Sequence, residues 1–206
     1  INQSLAALQN KNKHHRSIDG TITETDKPLT AATINRYRAT LASVFNYALS
    51  REIIDISPLK AGGIPRLQES TGRRRILSAD EEQRIYEAAK ESVWPMMWLF
   101  VRMCFTTGAR KSEVLKLKWQ YVNLAESVAL VPKTKNNDPR SLPLVGDVKQ
   151  ALADASKVKP LSSDYVFFDP KKPKNPKKID ETWKLVRIRA GVYQDREDYL
   201  DQVVLH

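Results

Sequence analysis

At 206 residues the chain holds material for one large domain or two small ones. Its 41% hydrophobic content and mean hydropathy of −0.48 describe a soluble globular protein, and no apolar run approaches the roughly 18 residues a membrane helix needs. With 34 Lys and Arg against 24 Asp and Glu, a net charge of +10 and a pI near 9.7, it calls for a polyanionic partner, most often nucleic acid, although ribosomal-type and membrane-surface proteins share the sign.

In chain order, residues 1–29 are weakly patterned. "LAALQNKNKHHRS" reads as the end of a helix and "IDGTITETDKP" as a loop. "LTAATINRYRATLASVFNYALSREI" is a helix capped by Thr30, with Ile34, Leu41, Val44, Phe45, Ala48 and Leu49 on one face at spacings of three and four. A linker follows near 66–75, ending in Arg73, Arg74 and Arg75. Ser78 and Glu81 form a capping box, with acids crowding the first turn of the helix they open. The run from Val93 to Phe105 reads as a buried helix and holds the single cysteine, Cys104, so no disulfide framework exists within the chain and a reducing cytoplasmic setting is expected. A glycine turn at Gly108 leads into a helix expected over about 110–120. "SVALVP" and "RSLPLV" read as strands joined by a hairpin turn, "DVKQALADAS" as a helix, "DYVFF" as a short strand, "DPKKPKNPKK" as a loop and "IDETWKLVRIRAGV" as a helix ending at Gly191.

Metal, nucleophile-elbow and phosphate-loop chemistry find no support. His14 and His15 are adjacent, no Cys cluster joins them, and Gly62-Gly63 precedes no Lys-Ser/Thr pair. What stands out is cationic. In "TTGARKSEVLKLKW", Arg110 and Lys111 open a helix at its positive end, where cations are disfavoured by roughly 0.3–1 kcal/mol. Arg110 is either solvated or part of an anion site with Glu113, and this stretch alone supports both equally. Lys133, Lys135 and Arg140 surround the hairpin turn. From Asp169 to Arg189 there are eight Lys/Arg against three acids, half of the chain's excess charge in 21 residues. Lys171, Lys172, Lys174, Lys177 and Lys178 belong to this run, whose prolines keep it extended enough to follow a phosphate backbone.

Taken together, these pieces resemble the tyrosine recombinase (phage integrase) family. "TINRYRATLASVFNYALSREIIDISP" is similar to the end of that family's helical core-binding domain, and "TTGARKSEVLKLKWQYVNL" to the box holding its first catalytic Arg, with an acid three residues on. "KTKNNDPRSLPL" is similar to its lysine hairpin, and "VVLH" to the approach to its His-x-x-Arg box.

The resemblance implies a mainly α fold with a small antiparallel sheet. Residues 1–65 would form a core-binding domain, 66–75 a basic linker and 76–206 an α+β catalytic domain. It implies Arg110, Lys135 and His206 as catalytic residues, with Lys135 selected over Lys133 by its distance from the "LPL" end, and Glu113 in support. Arg36, Arg38, Arg73, Arg74, Arg75, Lys133, Arg140 and the five lysines of 171–178 would contact DNA. It implies a double-stranded DNA partner, a homotetramer on that DNA, accessory DNA-bending proteins, and no metal or cofactor. The second Arg and the nucleophilic Tyr would lie beyond residue 206, so this stretch alone is expected to be inactive. A DNA-binding protein that keeps the fold without the chemistry is the rival reading.

Overall fold

A computed structural model describes residues 7–17, 19–60, 65–69, 75–133, 138–193, 203 and 205. The chain divides into two compact units, Ile1–Gly72 and Arg73–His206.

In the first unit, β1 (Asn12–Arg16) and β2 (Ile22–Pro28) form an antiparallel hairpin, pairing His14 with Glu24 and Arg16 with Ile22. A short 3-10 helix at Leu8–Asn10 agrees with the helix end read from sequence, whereas the rest of that stretch and the expected loop are corrected here to strands. Neither strand buries a residue, so the pairing leaves no apolar alternation to read. Helix α1 (Ala31–Ser50) begins at Thr30, whose hydroxyl accepts from the Thr33 N–H. Its expected apolar stripe is only partly covered: Ile34 is buried, whereas Val44 is 56% exposed. Asn35 acts as a peptide mimic on this helix. Its side chain accepts from the Leu67 N–H at 2.9 Å and donates to the Leu67 carbonyl at 2.9 Å and to Glu69 at 2.7 Å. Residues 67–69, read as linker, are thereby fixed to α1.

The second unit carries the main core. Helix α2 (Ala79–Lys90) starts with the capping box read from sequence, Ser78 and Glu81 bonding reciprocally. Helix α3 (Met97–Thr107) buries Met97, Leu99, Phe100, Val101, Met103 and Cys104. Phe100 meets Phe167 edge-on with ring centroids 5.5 Å apart. Helix α4 (Lys111–Leu115) is followed by the strands β3 (Val122–Asn123), β4 (Val128–Val131) and β5 (Arg140–Pro143), which form one antiparallel sheet in that order. Ala129, Val131, Leu142 and Leu144 bury its inner face. Helix α5 (Gly146–Lys157) covers the core with Val148 and Leu152. Arg102 ties three helices together, donating to Asp147 at 2.8 Å and to the Tyr86 hydroxyl at 3.0 Å.

The Lys-rich stretch is a hairpin rather than a loop, with β6 (Phe168–Asp169) paired to β7 (Lys172–Pro176). Pro173 and Pro176 suit an edge strand, where no ladder N–H is required. Helix α6 (Asp180–Arg189) then closes the core with Trp183 and Val186.

The helix expected over 110–120 stops at Leu115. The groups that would extend it are used elsewhere: Trp119 N–H donates to the Asp164 carbonyl and Val166 N–H to the Leu117 carbonyl, both at 2.9 Å. Lys118 and Tyr165 form an antiparallel bridge between the same two segments. Tertiary pairing overrides the helical pattern.

Candidate active site

The site is built on the turn between α3 and α4. Helix α3 ends where Gly108, at φ 59°, enters the left-handed region and donates to the Cys104 carbonyl at 3.0 Å. A side chain there would meet no atom within 4 Å, so the requirement for glycine is conformational. Gly108→Ala should therefore cost about 1–2 kcal/mol, and Gly108→Asn less, both read from denaturant midpoints. A neutral alanine would mean that the turn rearranges.

Ala109 is buried, so the chain leaves the turn pinned and presents Arg110 as the residue preceding α4, in extended conformation. Five residues of helix sum little dipole, and arginine has no acceptor with which to cap. The conflict read from sequence is resolved by Glu113. Its carboxylate accepts from the Arg110 N–H at 3.0 Å and from Arg110 Nη1 at 2.7 Å. The Glu113 side chain is 6% exposed and that of Arg110 50%. Burial by itself would raise the carboxyl's pKa. The side-chain and backbone hydrogen bonds from Arg110, with the charges of Arg110 and Arg140, outweigh it and hold Glu113 below its ordinary value.

Arg110 stands between two clefts. One, of about 630 Å3, is lined by Arg110, Lys116, Lys118, Tyr121, Lys133 and Tyr165 among others. The other, of about 530 Å3, is lined by Gly108, Arg110, Lys111, Ser112, Arg140 and Leu205. The structure thus brings Arg110, Glu113, Lys133 and Arg140 together. Lys135, His206, Arg73 and Arg74 lie outside the described residues. Lys111, at the second cleft, is paired with Asp180 at 2.7 Å. Arg75 is bonded to Glu81. Arg36 is exposed and Arg38 half-buried on α1, in the other unit. Lys171, Lys172, Lys174 and Lys178 are exposed on or beside the β6–β7 hairpin, with Lys177 half-buried. Among the described residues, no group of three or more His, Cys, Asp or Glu is placed to hold a metal ion, and no helix is long and apolar enough to cross a membrane.

The phage integrase family profile matches residues 75–201, more than half of the chain, including the α3–α4 turn and the β3–β5 sheet beside these clefts. The chain belongs to the phage integrase family. Its relatives include the shufflon-specific DNA recombinase of Escherichia coli, 32% identical over 121 residues, which span 58% of this chain and 31% of that protein. This phage integrase-family chain is also similar in fold to a lambda integrase dimer bound to a COC′ core site, with a TM-score of 0.63 and 22% identity, covering 80% of this chain and 58% of that one. A lambda integrase tetramer bound to a Holliday junction matches with a TM-score of 0.61 and 20% identity, over 80% and 49% of the two chains. The matched stretches amount to about a third of the length of the curated relatives, 30–36%.

One feature of this integrase-family site escaped the sequence reading: Arg140 reaches the α3–α4 turn, a contact about 30 residues away in sequence that no local signal announces. Leu205, in the "VVLH" stretch, lines the Arg110 cleft.

Proposed function

We propose that the complete protein is a site-specific recombinase that cuts and rejoins double-stranded DNA through a 3′-phosphotyrosyl intermediate. The observation that carries this reading is the half-exposed Arg110, oriented by a buried carboxylate and sharing its cleft with Lys133 at the base of the lysine hairpin. Its guanidinium spends one of five donors on Glu113. The others offer the fork geometry that suits two non-bridging phosphate oxygens.

In this mechanism a tyrosine oxygen, from a residue following this sequence, forms a bond to phosphorus and the bond to the 5′ oxygen breaks. The phosphodiester energy is retained in the protein–DNA link, so rejoining needs no external energy source. Arg110 stabilises the charge that builds on the phosphate oxygens. Lys135 delivers a proton to the departing 5′ oxygen, and His206 holds the phosphate or relays a proton. Leu205 in the Arg110 cleft supports the part given to His206, the next residue in the chain.

Residues 1–65 act as the core-binding domain, 66–75 as a basic linker and 76–206 as part of the catalytic domain. Arg36, Arg38, the arginines of 73–75, Lys133 and the five lysines of 171–178 supply backbone contacts to the duplex. The lambda integrase structures, one a dimer on a core site and one a tetramer on a Holliday junction, support a homotetramer on DNA. Accessory DNA-bending proteins would assist its assembly. The protein works in the cytoplasm, associated with the nucleoid when bound.

The test uses the full-length protein on a nicked suicide substrate. A covalent protein–DNA adduct is expected, slowed in Lys135→Ala and restored when the 5′ leaving oxygen is replaced by sulfur, which needs no proton. Restoration of Lys133→Ala instead would move the acid to Lys133. No adduct under any condition, with DNA binding intact, would favour a binding protein that keeps the fold without the chemistry.

A further inference from the structure

Arg140 opens β5 directly opposite Val131 of β4, two residues before Lys133. From there its guanidinium crosses to the α3–α4 turn. Nη2 donates to the Thr107 carbonyl at 3.0 Å, at the last residue of α3. Such terminal carbonyls lack a partner within their own helix. Nη1 lies 3.9 Å from Glu113 Oε2, the oxygen that also accepts the Arg110 N–H. One side chain therefore touches both flanks of the Gly108 turn, before it at Thr107 and after it at Glu113.

We propose that Arg140 is a positioning residue, distinct from the phosphate contacts. It braces the β4–β5 hairpin against the turn that presents Arg110. The lysine-bearing hairpin and the arginine are then held in one geometry, although about 20 residues of chain separate them. This rests on the recombinase reading and adds a second effect to it. Arg110, Arg140 and Glu113 together carry one net positive charge. Without Arg140 the carboxylate and Arg110 would cancel, and the positive field beside Arg110 would weaken. A planar guanidinium can reach a carbonyl and a carboxylate at once, whereas an ammonium is a point charge and cannot span both. Charge and bridging are therefore separable by substitution.

The experiment compares wild type, Arg140→Lys and Arg140→Gln in the full-length protein. Three properties are measured: DNA affinity across salt concentrations, single-turnover adduct formation, and amide hydrogen exchange over 107–114. Arg140→Lys should bind with the wild-type salt slope, and Arg140→Gln, which also removes the charge, with a shallower one. Both should form adducts more slowly, by up to ~100-fold, the scale expected for a displacement of about 1 Å. Arg140→Lys should be slowed despite keeping its charge, and both should exchange faster across the turn. An Arg140→Lys protein with wild-type cleavage and exchange, beside an Arg140→Gln protein whose salt slope falls by about one, would make Arg140 a phosphate contact and overturn the brace. If wild type itself forms no adduct, the recombinase reading fails separately, and the exchange measurement still decides whether Arg140 holds the turn.

Discussion

Replacing Arg110 with alanine should leave the full-length protein bound to DNA but reduce its rate of adduct formation by about 10²–10³, the usual loss when one preorganised donor to a developing oxyanion is removed. The turn should survive. Glu113 takes the backbone N–H of residue 110 as well as the side chain, and alanine keeps that N–H. Arg140 remains within 3.9 Å as a counter-charge. Binding should weaken modestly, with the salt slope reduced by about one. Arg110→Lys should recover little, because an ammonium cannot bond to Glu113 and present a fork to phosphate together. Single-turnover trapping on the suicide substrate separates the two quantities. Undiminished adducts from the alanine variant would remove Arg110 from the chemistry.

Glu113→Ala should be the more damaging change to the fold. It strips the Arg110 N–H of its acceptor in a part-buried setting, a loss of about 1–3 kcal/mol. The half-exposed Arg110 guanidinium can turn to water, so no larger penalty for a stranded charge applies. Acid should expose the same interaction. Because the carboxyl's pKa is lower in the folded protein than its ordinary value of 4.5, the unfolded chain takes up the proton first. The stabilisation is thus complete above that ordinary value and is lost as pH falls through the folded one. Glu113→Gln should flatten the acid side of the stability curve in that window, measured by thermal unfolding from neutral pH down to about pH 3. An unchanged acid limb would show that the carboxylate contributes nothing there.

What could be read from the sequence depended on how local each feature was. The Ser78–Glu81 box, the Thr30 cap and the Gly108 terminus are set by residues within four of one another, and all three are visible in the chain itself. Arg110 and Glu113, three apart, belong to the same class. The β1–β2 hairpin was invisible because strands without a buried face leave no alternation. The end of α4 was misread because residues 164–166 compete for its backbone groups, and nothing within 110–120 announces a partner more than forty residues away. The exposure of Val44 had the same origin, since a stripe on a helix reveals a preference and not whether anything covers it. Arg140 shows the limit most plainly. In sequence it is one more cation by a turn, and only the fold gives it Thr107 and Glu113.

The single thiol of the chain has a practical use. Cys104 is buried in α3, and burial pushes its pKa up to about 12, so it is a poor nucleophile while the core is closed. A cysteine introduced at an exposed position such as Lys133 could carry a fluorophore, or be cross-linked to a thiol-bearing oligonucleotide, without first removing the native one. Delayed labelling of Cys104 in the same sample would report each opening of the core around α3 as an internal clock.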